Sequence, residues 1–192
     1  MKIAVFPLPL VLFPEGFLPL RIFEARYLDM VAECLKNKQK FAIIPINIEG
    51  QMESNITATT AEIIGWDHGD SGTLNIMVKG VSKVNVTELW TEENGLGSAK
   101  IKTILDEDTS IEDNFRYFHD IIRELSADTL PQNYKDSLNS SIFTAYRAAE
   151  FLNLNIEEKL EILKERKGSQ KISKLEKILK DNGNIEFRNT LH

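Results

Sequence analysis

The sequence predicts an α+β chain, with a sheet-forming segment first and a helical segment second. Three observations carry this. Short β-prone runs separated by turn residues fill the N-terminal part, apolar residues recur with helical period from Ile111 onward, and the change falls at the acidic, turn-prone stretch Asp106 to Ser110. The expected division is therefore a sheet subdomain over residues 1–107 and an α-helical subdomain over 108–192.

Within the first segment, Lys2–Phe6, Phe41–Ile48, Thr57–Trp66, Leu74–Leu89 and Gly97–Leu105 read as strands, and Leu18–Ile22 as a further extended piece. The stretches Asp67–Gly72 and Glu92–Gly95 supply turn residues that tolerate positive φ or hydrogen-bond their own backbone. One helix interrupts the strands. From Glu24 to Lys36, the residues Tyr27, Leu28, Val31, Cys34 and Leu35 fall on one helical face, and Cys34 reads as a small core hydrophobe there.

In the second segment, four stripes require four packed amphipathic helices: Phe115, Phe118, Ile122 and Leu125; Leu138, Ile142, Ala145, Ala149 and Leu152; Leu160 and Leu163; and Ile172, Leu175 and Leu179. Asn155 with Glu158 three residues later forms a capping-box signature for the third, and Gly168 is the expected stop. The tail after Asp181 is polar.

Composition narrows the function. The 192 residues are 42% hydrophobic, enough for a real core, and the formal net charge of -6 does not favour phosphate backbones or anionic membranes as partners. The single cysteine, Cys34, suits a reducing compartment and rules out an intramolecular disulfide or a Cys-based zinc site. The apolar run Ile3–Leu20 is broken by Pro7, Pro9, Pro14 and Pro19, with Glu15 and Gly16 inside it, so neither a signal peptide nor a spanning helix is expected. The expected location is the cytoplasm.

No catalytic constellation stands out. The histidines are His68 in a turn, His119 in a helix and His192 at the end, and neither a phosphate-binding glycine loop nor a G-x-S-x-G nucleophile elbow occurs. No enzyme, cofactor or metal is expected. A basic segment, Arg166, Lys167, Lys171, Lys174, Lys177 and Lys180, runs against the net charge. Lys167, Lys171 and Lys174 either share a helix face that meets RNA or an acidic partner, or belong to a solvated terminal helix with cations toward its C-terminal end.

The informative stretch is Val5–Val31, which contains Val11-Leu-Phe-Pro-Glu-Gly-Phe-Leu-Pro-Leu20 followed by Ile22-Phe-Glu-Ala-Arg-Tyr27. Physically it is a strand, a proline-stiffened apolar loop, a second extended piece and a helix whose start places Glu24 at the positive dipole end, with Arg21 or Arg26 in reach. Phe13, Pro14, Phe17 and Leu18 exceed what a solvated turn requires. They either plug the open end of a barrel or present an apolar contact surface.

The stretch closely resembles the opening motif of the Lon N-terminal, or substrate-binding, domain family: V-L-F-P-G-x-x-L-P-L, then I-F-E-x-R-Y, then a helix. Weaker similarity continues through Thr59–Ile63, Gly80 and Leu152–Leu163. Departures are Glu15 where glycine is common, Ala25 for proline and Lys83-Val84 for Arg-Phe. The resemblance implies a PUA-like β-barrel with one inserted helix over residues 1–107, followed by a C-terminal helical bundle. It also implies a free-standing bacterial member without ATPase and protease domains, acting in recognition and not in proteolytic chemistry. The expected function is a non-catalytic module that binds exposed apolar segments of unfolded or partly folded proteins, or a separate protease or chaperone. Phe13, Phe17 and Leu18 are the expected contacts, with Arg21 and Glu24 as the pair fixing the loop. The alternative is an RNA-binding module of PUA-like fold.

Overall fold

The computed structural model describes residues 1–46, 56–126 and 134–182. The chain forms two compact units, Met1–Ile104 and Leu105–His192.

The first unit contains β1 (Lys2–Leu8), β2 (Phe17–Ile22), α1 (Ala25–Asn37), β3 (Phe41–Pro45), β4 (Thr57–His68), β5 (Leu74–Thr91) and β6 (Gly97–Thr103). The strands lie in the order β2-β5-β4-β3-β1-β6, and β5 also pairs with β6. The circuit β5-β4-β3-β1-β6-β5 is therefore closed, and β2 lies outside it as an extra strand on the first half of β5. Closure is possible because β5 is long. Its first part, Leu74–Lys79, pairs with β2, and its last part, Val84–Thr91, pairs with β6. Among the strands of the described residues, β1 and β3 pair in parallel, and their connection runs through β2 and α1.

Strand alternation separates two apolar layers. Ile3, Val5, Ala42, Ile44, Ala58, Val84, Val86, Ala99 and Ile101 fill the inside of the barrel. Phe6, Phe41, Ile43, Ala61, Ile76 and Val78 point the other way and pack under α1 through Tyr27, Met30, Val31 and Cys34. This explains why Phe41–Ile44 is a continuous apolar run: β3 is buried on both faces. The part of the expected Phe41–Ile48 strand beyond residue 46 lies outside the described residues.

The proline-rich loop is stitched to the barrel by backbone bonds. Glu15 N–H donates to the Gly80 carbonyl and Gly80 N–H to the Gly16 carbonyl, both at 2.8 Å, and the Thr59 hydroxyl donates to the Leu12 carbonyl at 2.6 Å. A Cβ on Gly80 would collide with the Phe13 carbonyl oxygen, so the close approach requires glycine. Glu15 has φ 63, a left-handed conformation that suits the glycine of the resembling motif.

The second unit contains α2 (Tyr117–Ser126), α3 (Ser141–Phe151), α4 (Ile156–Lys164) and α5 (Gly168–Asp181). α3 is central, in contact with the other three helices, and buries Ala145, Ala148 and Ala149, whose small side chains admit neighbours on several sides. The Asn155–Glu158 capping box forms as expected, with bonds of 2.9 and 2.8 Å. Two expectations are corrected. Gly168 opens α5 instead of ending α4, and a Cβ there would collide with the Ser141 hydroxyl. Leu125 is exposed, and Phe118, Ile121 and Ile122 form the buried stripe of α2.

The acidic stretch belongs to this unit. Glu107 N–H donates to the Arg166 carbonyl, Gly168 N–H donates to the Glu107 carbonyl, and the Asp108 carboxylate accepts from Ile142 N–H and the Ser141 hydroxyl at the start of α3. The polar tail from residue 183, including His192, lies outside the described residues. Among the described residues no helix is long and apolar enough to cross a membrane.

Candidate functional site

Past the barrel circuit, β2, the first half of β5 and the second half of β4 form a three-stranded arm. Its register is Phe17–Lys79–Glu62, Pro19–Met77–Gly65 and Arg21–Asn75–Asp67 on one face, alternating with Leu18–Val78–Ile63 and Leu20–Ile76–Trp66 on the other. The first of these faces is open. Pro19, Arg21, Gly65, Asp67, Asn75 and Met77, together with Leu20, Trp66 and Ile76 from the alternate rows, line a shallow groove of about 490 Å³.

Large apolar side chains are exposed along the same arm: Ile64 at 49%, Trp66 at 54% and Met77 at 38%. The exposure of Ile64 has a local cause. The register slips between Ile63 and Gly65, leaving Ile64 without a partner on β5, which is a β-bulge. The unbroken apolar run Ile63-Ile64-Gly65-Trp66 violates period two and was the available signal in the sequence. Trp66 meets His68 edge to face at 5.5 Å. The groove is framed by ordinary surface chemistry: the Asn75 amide donates to Asp67 at 2.9 Å, Arg21 Nε donates to the Thr73 hydroxyl at 3.3 Å, and Lys79 pairs with Glu15 at 2.7 Å.

The expected site residues separate. Phe13 is fully buried, so its ring plugs the fold and presents no surface. Phe17 and Leu18 are half-buried on opposite faces of β2, and Arg21 is exposed at the groove. Glu24 does not pair with Arg21. It precedes α1 and binds Arg26, whose Nε and Nη2 reach Glu24 Oε2 at 2.9 and 2.7 Å, while Nη1 donates to the Gly95 carbonyl at 2.8 Å. Arg26 thereby ties the helix start to the turn between β5 and β6. Strand geometry aligns Arg21 with Asn75 instead.

The basic segment also resolves differently. Lys171 is fully buried: its Nζ lies 3.2 Å from Asp106 Oδ2, donates to the Ile162 and Glu165 carbonyls, and sits 4.6 Å from the centre of the Tyr146 ring. Tyr146 donates its hydroxyl proton to the same Asp106. Burial, with the adjacent Asp106 charge adding to it, pushes the Tyr146 hydroxyl well above its ordinary range. Lys171 therefore serves the interior of the helical unit, and Lys167, Lys171 and Lys174 do not form a shared solvent face for RNA.

No chemical centre emerges among the described residues, where no group of three or more His, Cys, Asp or Glu is placed to hold a metal. Burial raises the Cys34 thiol to about 11, which leaves it protonated and unreactive at neutral pH. What the arm offers is apolar surface beside an exposed guanidinium, which suits recognition.

The family model for the ATP-dependent protease La (LON) substrate-binding domain matches residues 2–181. Among solved structures, the Lon N-terminal domain protein from Xanthomonas campestris superposes with a TM-score of 0.77 at 24% identity, covering 91% of this chain and 96% of that one. The N-terminal domain of the Mycobacterium avium complex Lon protease superposes with a TM-score of 0.62 at 12% identity over 100% of both chains. At these identities the likeness concerns the fold. A comparison with curated proteins gives no match.

Proposed function

This chain belongs to the ATP-dependent protease La (Lon) substrate-binding domain family, and on that premise we propose that it recognises exposed apolar segments of unfolded or partly folded polypeptides through the β2-β5-β4 arm. The observation that carries the reading is the exposure of Ile64, Trp66 and Met77 on one short piece of sheet, Met77 in a row of the open face and Trp66 in the adjacent row at the β4 edge. An apolar cluster of this kind on a folded surface marks a contact site. The barrel's core is complete without these side chains, so its stability gives no reason for them.

In this reading Phe17 and Arg21 border the contact surface. Leu18 supports it from the other face of β2, Phe13 anchors the loop that precedes it, and Glu24 positions Arg26 at the start of α1. None of these groups is asked to do chemistry, so the module acts without catalysis. We place it in the cytoplasm, handing bound segments to a separate protease or chaperone.

The test uses reduced, carboxymethylated protein held unfolded as the probe. Trp66→Ser and Met77→Ser are each expected to weaken binding by about tenfold or more, as aromatic and Met anchors do at interfaces. Both side chains are substantially exposed, so melting temperatures should stay close to wild type. Full affinity retained in both variants would remove the arm as the contact surface.

A further inference from the structure

We propose that the bulge in β4 opens a slot for a single large apolar side chain of an extended polypeptide, with an acidic residue of that polypeptide meeting Arg21 at the β2 side. This rests on the recognition reading and specifies what it recognises.

Ile63 lies opposite Val78, and Gly65 opposite Met77, so Ile64 is the extra residue. Without the bulge, Ile64 would stand beside Met77 and its branched side chain would cover the row. The bulge places a glycine there instead. The row Pro19–Met77–Gly65 then has a proline wall on β2, a flexible thioether in the middle and no side chain on β4. Three strands span about 10 Å, the width of one large side chain with part of its backbone.

The fold does not require the glycine. Gly65 does not need positive φ, and a Cβ built on it meets only the Met77 Cβ, at 3.9 Å, an ordinary contact. This contrasts with Gly80 and Gly168, whose added Cβ would strike neighbouring atoms. Glycine inside a strand weakens it and often marks a close approach by another chain. At residue 65 the open space lies toward solvent, where a ligand would approach.

The neighbours of the slot define its occupant. The adjacent row carries Arg21 on β2 and Asp67 on β4, two strand spacings apart, and the Asp67 carboxylate accepts from Asn75 at 2.9 Å. The guanidinium of Arg21 is exposed and, among the described residues, gives only Nε, at 3.3 Å, to the Thr73 hydroxyl. Its remaining fork matches a carboxylate. Met77 adapts to aromatic or long aliphatic shapes. Successive side chains of an extended chain point to opposite sides, so the preferred segment has one such side chain two residues from an Asp or Glu, presented in extended form with both facing the arm.

The experiment titrates the protein with Gly/Ser-rich peptides bearing a single Phe-Ser-Asp segment, followed by amide shifts in NMR spectra, which register millimolar affinity. Shifts are expected at Gly65 and Met77, with loss of binding for a Phe→Ser peptide and weakening for an Asp→Lys peptide. Arg21→Gln should abolish the preference for Asp over Lys, and Gly65→Leu should weaken Phe-Ser-Asp binding by about tenfold at an unchanged melting temperature. No shifts in wild type at millimolar peptide, or wild-type affinity in Gly65→Leu, would overturn the slot. If Trp66→Ser and Met77→Ser still lose unfolded protein in that case, the recognition reading survives. If they do not, both fail together.

Discussion

Both units depart from ordinary burial, with Lys83 buried in the first and Leu105 and Leu125 exposed in the second as well, and the departures differ in what explains them. The barrel unit exposes apolar side chains, Ile64, Trp66 and Met77, that its core does not use. The helical unit buries charged ones, Lys171 and Arg147, that solvent would readily hold. Buried charges have visible structural partners: Lys171 faces Asp106, and Arg147 lies 2.7 Å from Glu150. The exposed apolar groups lack such a purpose within the fold. The comparison teaches that chemically active residue types are a poor guide to the site in this protein. The departure from burial that the fold leaves unexplained is the better guide.

The largest effect should come from reversing a buried charge in the helical unit. Lys171→Glu sets a second carboxylate against Asp106 in a water-excluded place, and breaking such a pair costs about 3–5 kcal/mol. Chemical denaturation should show this loss, and Lys171→Met should recover part of it. Wild-type stability in Lys171→Glu would mean that the lysine is not buried.

A smaller effect is expected in the barrel unit at Glu15, which occupies a left-handed conformation with φ 63. Glu15→Gln removes the ion pair with Lys79 but retains the backbone strain, whereas Glu15→Gly removes both. The glycine variant should be more stable than the glutamine variant by about 1 kcal/mol. Equal stability would show that the backbone is not strained there.

The smallest effect is a pH dependence confined to the helical unit. Burial lowers the pKa of His119. Its bond to the Leu138 carbonyl and the charge of Asp120 oppose the shift, and Arg116 and Arg123 reinforce it. A folded-state pKa below the unfolded value of about 6.5 means that the stability present above that value is lost as pH falls toward the folded one. Burial raises Glu150, which has the opposite sign, so His119→Gln is the isolating variant. Protection factors of the α2 amides, which correct exchange for its intrinsic base-catalysed rate, should fall between pH 7 and pH 5.5 in wild type and less in the variant, while the barrel amides should show no such difference.

Much of the fold was legible from local chemistry. Strand alternation, helical periodicity and the Asn155–Glu158 capping box involve residues near in sequence, and each appears close to where the pattern put it. Gly168 departs from its expected place because helix stop and close packing both select glycine, and only the proximity of Ser141 distinguishes them. Lys171 departs for a related reason. A lysine on a helix looks solvated until a carboxylate from a remote segment, Asp106, is brought against it.

For the candidate site, the sequence by itself marked β2 and the apolar loop before it, because Pro19, Phe17 and Leu18 are dense for a connection. Tertiary structure decided the rest. It buried Phe13, gave Glu24 to Arg26, and used β5 to join β2 to a part of β4 far away in the chain. Strand pairing and the one-residue bulge at Ile64 determine which side chains share a face. Register is a property of two strands at once, and no single stretch of sequence contains it.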